Sequence, residues 1–195
     1  YGCTCTLALL FFFFELMQKE CSFGAFIWPV VLMVSIVSTL LLGKTAVMPP
    51  HLASPSFIIH ISFFFLAYAS FFFSASVSVM YILQNAQIQS RKPGFFFERL
   101  PALPILDKSV ARANVVGLIL LVLGFIIGLI WTHTSITAGP GIIIKSIFVL
   151  LAILVFSFEQ SMRIFNGWTG IRTALTTLVG FTMVILTLFV GRHGF

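Results

Sequence analysis

The stretch FIIHISFFFLAYASFFFSASVSVMYIL, residues 57–83, decides the fold of this chain. It is 27 residues long and contains no acidic or basic side chain apart from one histidine. A helix needs about 20 predominantly apolar residues to cross the hydrocarbon core of a bilayer, where backbone groups have no water to bind. Because residues 57–83 exceed that length, they predict a transmembrane helix that is long enough to tilt.

Apolar runs of similar character recur on both sides of this stretch. Over the 195-residue chain, 59% of the residues are hydrophobic and 8% are charged, whereas about a quarter are charged in a soluble domain. We therefore expect an all-α, polytopic integral membrane helix bundle embedded in a lipid bilayer. Runs separated by polar, proline or glycine clusters predict one domain with six spans, at residues 3–17, 25–42, 57–83, 115–131, 142–165 and 173–190.

The distribution of basic residues predicts how the spans are oriented. The longest connection, residues 84–114, is rich in arginine and lysine, and its prolines are expected to prevent a long helix. Lys44, Lys145 and Arg192 fall on the opposite side of the membrane. The other eight basic residues share the side of the long connection: Lys19, Arg91, Lys92, Arg99, Lys108, Arg112, Arg163 and Arg172.

An excess of lysine and arginine marks cytoplasmic loops. The connection 84–114 is therefore predicted to be cytoplasmic, and both termini are predicted to face outward. The membrane is expected to be a bacterial plasma membrane or an equivalent organellar membrane. Since these loop charges explain the net charge of +6, no nucleic-acid partner is predicted.

All four histidines fall on the predicted outer side. His51 lies in an outer loop, His60 within the first turn of the third predicted span, His133 just beyond the fourth and His193 just beyond the sixth. Neutral imidazoles at similar depth can coordinate a metal ion or a haem iron. Four unrelated interfacial histidines are the alternative, which topology alone leaves open.

Two acidic residues lie inside predicted spans, where ionisable groups are candidates for function. Glu15 precedes Lys19 by four residues, and Glu159 precedes Arg163 by four. Pairs at this spacing share a helix face and neutralise each other. Self-neutralising pairs are therefore predicted, with a proton or ion path as the alternative.

Small residues in two spans predict close helix packing. Gly117, Gly124 and Gly128 share one face of the fourth predicted span, the last two in GxxxG spacing. The third span contains several small hydroxyl side chains that allow close approach and hydrogen bonds between helices: Ser70, Ser74, Ser76 and Ser78. In the same span Tyr68 can hydrogen-bond a cofactor carboxylate, although packing explains it more simply.

Enzyme motifs with a defined chemistry are absent from the sequence. It contains no G-x-S-x-G elbow, no phosphate-binding glycine loop and no HExxH. The three cysteines, Cys3, Cys5 and Cys21, form neither a CxxC pair nor a metal-ligand spacing with histidine. Hydrolytic and phosphoryl-transfer activities are therefore not predicted, and a non-enzymatic role is favoured.

Three segments in a fixed order resemble a known family. They are HISFFFLAYASFFFSASVSVMYILQNAQIQSRK from His60, ERLPALPILDKSVARANVVGLILLVLGFIIGLIW from Glu98, and GWTGIRTALTTLVGF from Gly167. A helix-opening histidine, an LPxLxxLD-like loop and GWxGxR resemble the cytochrome c assembly protein superfamily. The similarity is to its haem-handling CcsA/CcmC type, in particular the HemX-like or YpjD-like branch, and it runs from about Trp28 onward.

The resemblance implies haem as a cofactor and names its ligands. His60 matches the outer-side haem histidine, His193 stands where a second outer histidine is found, and His133 stands where HemX-like relatives have one. The sequence departs from the family after Trp131, where THTSITAGPGIII replaces the tryptophan-rich segment that presents haem to apocytochrome. It departs again in the fifth span, where FEQSMRIFNGW contains no histidine.

We therefore expect an accessory, haem-binding member of this family that acts in cytochrome c maturation or haem-protein assembly. Haem and the membrane proteins of a cytochrome assembly or respiratory complex are its expected partners. The alternative is a structural subunit of a respiratory or photosynthetic membrane complex that kept the fold without haem transfer.

Overall fold

The computed structural model describes residues 55–91, 101–135 and 140–190, with side chains described at 55–91, 101–132 and 142–187. Regular secondary structure in these residues is entirely α-helical. The helices are α1 (Pro55–Gln89), α2 (Leu103–Ser135), α3 (Pro140–Asn166) and α4 (Ile171–Val190). The all-α prediction is thus confirmed for the part of the chain that the structure describes.

Three of these helices, α1, α2 and α3, are long and apolar enough to cross a membrane. The apolar part of α4, Ile171–Thr187, is shorter. These helices agree with an integral membrane protein. The predicted spans 3–17 and 25–42 lie outside the described residues, so the total of six spans stays a prediction.

The connection between α1 and α2 is shorter than the sequence predicts. Helix α1 continues to Gln89 and α2 begins at Leu103, so both ends of the predicted connection 84–114 are helical. Pro104 does not interrupt α2, because it stands in the first turn, where a backbone N–H would have no intrahelical partner. The predicted cytoplasmic side of this connection stays a prediction.

The core lies where α1 packs along α2 and α4, and where α3 packs along α4. One cluster of buried side chains joins α1 to the first half of α2: Phe73, Val77, Met80, Leu106, Val110 and Ala113. A second cluster joins all four helices: Ala67, Phe71, Leu121, Val149, Ala152, Phe156 and Val184. Since lipid tails are as apolar as these side chains, shape complementarity has to stabilise the bundle.

The glycine face of α2 allows α1 to approach closely, as predicted. A Cβ atom added to Gly117 would lie 2.8 Å from Cε1 of Phe71, and one added to Gly124 would lie 2.9 Å from Cδ2 of Phe64. Any side chain at these positions would push the two helices apart. The hydroxyl of Ser74 also donates a hydrogen bond of 3.3 Å to the carbonyl oxygen of Val110, which joins α1 to α2.

Candidate functional site

Of the three predicted iron ligands, His60 is the one whose side chain lies among the described residues. Helix α1 begins at Pro55, two residues before the predicted span, so His60 lies in its second turn rather than its first. Its Nδ1 lies 2.7 Å from the backbone carbonyl oxygen of Gly124 on α2. A carbonyl oxygen only accepts, so the Nδ1 of the neutral ring is the donor and Nε2 keeps its lone pair.

The space for this imidazole comes from Gly128, one turn beyond Gly124 on α2. A Cβ atom at Gly128 would lie 2.6 Å from Nδ1 of His60, so no larger residue fits while the ring keeps its position. Phe64 packs on the imidazole with ring centroids 4.7 Å apart. Histidines that bind metal ions commonly donate their other ring N–H to a carbonyl or carboxylate group. His60 is therefore oriented as a metal-binding histidine would be.

Tyr68 is two turns from His60 along α1, with Phe64 between them. The Phe64 and Tyr68 rings meet edge-on with centroids 5.7 Å apart. The Tyr68 hydroxyl lies 2.7 Å from Oγ1 of Thr187 and so joins α1 to α4. Packing and hydrogen bonding thus account for this tyrosine, and contact with a cofactor stays a prediction.

The other predicted ligands belong to parts of the chain that the structure does not describe fully. His133 stands in the last turn of α2, but its side chain is outside the described set, and His193 lies beyond the described residues. Among residues 55–91, 101–132 and 142–187, no group of three or more His, Cys, Asp or Glu side chains is placed to hold a metal ion. A second iron ligand therefore stays a prediction.

A group of buried polar side chains, here called the polar cluster, joins α2, α3 and α4 through Asn114, Glu159 and Thr177. Nδ2 of Asn114 donates to the two carboxyl oxygens of Glu159, at 2.8 and 3.0 Å, and lies 2.8 Å from Oγ1 of Thr177. The three residues are at most 1% exposed. The predicted pairing of Glu159 with Arg163 is wrong, because Arg163 contacts a different acid; the Glu15–Lys19 pair lies outside the described residues.

That acid is Asp107, and the resulting contact is here called the carboxylate junction, formed by Asp107, Arg163 and Gly170. Nη2 of Arg163 lies 2.5 Å from Oδ2 of Asp107, and Nη1 lies 3.3 Å from Oδ1. The backbone N–H of Gly170 donates to Oδ1 at 2.8 Å. One carboxylate thus holds the start of α2, the end of α3 and the turn before α4 together.

Gly170 is suited to this junction by its backbone. Its φ of +74° belongs to the left-handed region, which glycine adopts without steric cost. A Cβ atom there would also lie 2.7 Å from the hydroxyl oxygen of Tyr81. Sequence reasoning missed this junction and the polar cluster, although Asp107 and Glu159 are two of only five acids in the chain. Because the chain has so few acids, each of them was a candidate for a structural or functional contact.

The junction brings together two of the segments that carry the family resemblance. Asp107 ends the LPxLxxLD-like loop, and Gly170 is the second glycine of GWxGxR. Residues 2–194 match the family described as Cytochrome C assembly protein. The chain belongs to the cytochrome c assembly protein family. The resemblance inferred from the three segments is thereby confirmed.

One relative of this cytochrome c assembly family member is Protein HemX of Bacillus subtilis (strain 168). The two are 26% identical over 146 residues, and the match covers 75% of this chain and 53% of HemX. Cytochrome c biogenesis protein CcsA of Prochlorococcus marinus (strain MIT 9312) is 29% identical over 171 residues, or 75% and 55% of the two chains. The CcsA of Guillardia theta is 27% identical over 180 residues, or 83% and 60%.

The chain spans about half the length of the first of these relatives and three-fifths of the last. No solved structure matches it. In this member of the cytochrome c assembly family, the first of the three segments contains His60, and the other two meet at Asp107.

Proposed function

We propose that this protein acts in cytochrome c maturation or haem-protein assembly as an accessory member that binds haem near the outer membrane face. The observation that most supports this is the 2.7 Å hydrogen bond from Nδ1 of His60 to the Gly124 carbonyl oxygen, which leaves Nε2 for iron. The printed names of the relatives, cytochrome c biogenesis protein CcsA and HemX, agree with such a role.

His60 would hold the iron through Nε2, and His193 or His133 is proposed as the second ligand. Bound haem supplies an iron centre that changes oxidation state. The residues of the chain itself orient the imidazole: the Gly124 carbonyl holds Nδ1, and Phe64 packs beside the ring. Because THTSITAGPGIII follows Trp131 in place of a tryptophan-rich segment, the proposal is confined to binding and stabilising haem.

Removal of the proposed ligand tests this function directly. His60→Ala should reduce the haem that co-purifies with the full chain in detergent to background, because the iron loses a ligand. His51→Ala, which changes a histidine of the predicted outer loop that is not proposed as a ligand, should leave the haem content unchanged. The measurement is the visible spectrum, oxidised and reduced, with the molar ratio of haem to protein.

Separate His133→Ala and His193→Ala variants would identify the second ligand. A folded wild type that contains no haem after growth in excess haem would overturn the proposal. Stoichiometric partner subunits co-purifying with such a haem-free chain would indicate the structural-subunit alternative. A haem spectrum that survives His60→Ala unchanged would refute the ligand assignment.

The orientation of His60 can be tested without removing it. In Gly128→Ala the added methyl group would lie 2.6 Å from Nδ1, so the imidazole must leave the Gly124 carbonyl. Changes to such supporting contacts weaken metal binding about 10- to 100-fold, and we expect haem affinity to fall in that range. The matched control is Leu129→Ala, at the neighbouring position, which is 51% exposed. Haem titration into the haem-free chains gives the ratio of the dissociation constants, and equal constants would contradict the prediction.

A further inference from the structure

The polar cluster contains a carboxyl group that forms no ion pair with any of the described residues. Glu159 is 1% exposed and lies within the candidate span Ile142–Asn166. Among the described residues, Arg163 and Asp107 are the charged groups close enough to act on it electrostatically. They form an ion pair with each other, so their charges largely cancel. An ionised carboxylate buried in this way is strongly destabilising unless a positive charge accompanies it.

Among the described residues, the groups that hydrogen-bond to Glu159 from neighbouring helices are neutral. Helix α2 contributes the Asn114 amide, and α4 contributes the Thr177 hydroxyl, whose Oγ1 is 3.3 Å from Oε2 of Glu159. Helix α1 contributes no acidic or basic side chain at this level among the described residues. Its Tyr81 lies at the carboxylate junction, beside Gly170. Among the described residues, every hydrogen bond to this carboxyl group therefore comes from a neutral donor.

The hydrogen-bond donors in the polar cluster are shared among several acceptors. The two N–H bonds of the Asn114 amide face three acceptors: both oxygens of Glu159 and Oγ1 of Thr177. Oδ1 of Asn114 is buried and has no hydrogen-bond partner among the described residues. A carboxylate held by one amide group and one hydroxyl group, with no cation bonded to it among the described residues, has little to balance a full negative charge.

We propose that Glu159 is a proton-binding site inside the α2–α3–α4 bundle. Uptake forms an O–H bond on one carboxyl oxygen and cancels its charge; release returns the proton to water, and no other bond changes. A proton fits better than an alkali-metal cation, because the Asn114 nitrogen, a donor, lies within 3.0 Å of both carboxyl oxygens. A metal ion would require oxygen ligands in that position.

The proton would be linked to helix packing. The neutral acid remains hydrogen-bonded between α2 and α4, whereas loss of the proton would leave an unbalanced charge where three helices meet. Proton release is therefore expected to loosen α3 and α4 at this level. The proposal does not depend on haem, since neither His60 nor any proposed iron ligand belongs to the polar cluster.

Two isosteric substitutions distinguish a neutral acid from an ionised one. Glu159→Gln imitates the protonated carboxyl group, so its thermal midpoint in detergent should lie within about 3 °C of the wild type. Asp107→Asn removes a charge that Arg163 needs, and it should lower the midpoint by about 5 °C or more. A loss for Glu159→Gln as large as that for Asp107→Asn would overturn the proposal.

Infrared spectroscopy of the full chain in lipid observes the proton itself. The wild-type minus Glu159→Gln difference spectrum should contain the carbonyl band of a protonated carboxylic acid, shifted in D₂O. Thr177→Val, which keeps the acid and removes one hydroxyl, should move this band and so provides a second variant if Glu159→Gln does not fold. Carboxylate bands in place of the acid band, or a wild-type midpoint that rises with sodium or potassium, would overturn the proposal.

Discussion

Asp107→Ala should lower the free energy of unfolding of this protein by about 2–4 kcal/mol, which corresponds to a fall in the thermal midpoint of about 5–10 °C. The substitution leaves the Arg163 guanidinium without its bidentate partner and the Gly170 N–H without an acceptor. Breaking a fully buried pair costs about 3–5 kcal/mol. We expect somewhat less, because the two side chains are 18% and 13% exposed.

The control for this prediction is Lys108→Ala, which also removes a charge from the first turns of α2. Lys108 is exposed and forms no ion pair among the described residues. Its removal should change the midpoint by no more than about 1–2 °C. Thermal unfolding followed by circular dichroism in one detergent compares the two variants. Equal midpoints for Asp107→Ala and the wild type would mean that the carboxylate junction does not stabilise the bundle.

Phe156→Ala should destabilise the protein by about 2–4 kcal/mol. The Phe156 side chain is fully buried and stacks on Phe71 with ring centroids 3.9 Å apart and an angle of 11° between the planes. Gly180 on α4 faces the ring so closely that an added Cβ atom would lie 2.7 Å from its Cζ atom. Removing the ring therefore opens a cavity where α1, α3 and α4 meet.

The expected loss of stability in Phe156→Ala comes from lost packing contacts rather than from exposing the phenylalanine to water. In soluble cores the same substitution costs about 3–5 kcal/mol, but lipid solvates an exposed phenylalanine nearly as well as the protein interior does. Phe165→Ala on the same helix is the matched control, because Phe165 is 83% exposed and should cost little. Unfolding midpoints in detergent and in bicelles measure both. Similar losses for the two variants would show that Phe156 does not stabilise the bundle by packing.

For the residues that the structure describes, the helices were largely predictable from local patterns in the sequence. Residues 57–83 predicted a span, and α1 contains all of them. The GxxxG spacing of Gly124 and Gly128 predicted close approach, and both glycines face α1. The prediction of a connection at 84–114 was wrong at both ends, because polar residues extend α1 and α2 beyond their apolar parts. Hydropathy identifies apolar helices and gives no sign of a helical segment made of polar residues.

The candidate site was predictable only in part. The sequence identified His60 but not Gly124 as its partner, since that contact joins residues 64 positions apart. Similarly, the i,i+4 spacing of Glu159 and Arg163 suggested a pair, yet Arg163 binds Asp107, 56 positions away. Spacing along one helix shows which of its own side chains can meet. It does not show that Asp107, on a different helix, offers Arg163 a bidentate contact through both carboxyl oxygens.

The sequence by itself determined that this chain enters a membrane and belongs to its family, because the length of an apolar run and the order of short motifs are local properties. Only the tertiary structure decided which contacts the side chains of residues 57–83 make. Packing against α2 places the imidazole of His60 on the Gly124 carbonyl, so that Nε2 is left for a ligand. It also leaves Glu159 buried with no ion-pair partner among the residues that the structure describes. Both outcomes depend on which helix lies beside which, and no property of a single helix contains that information.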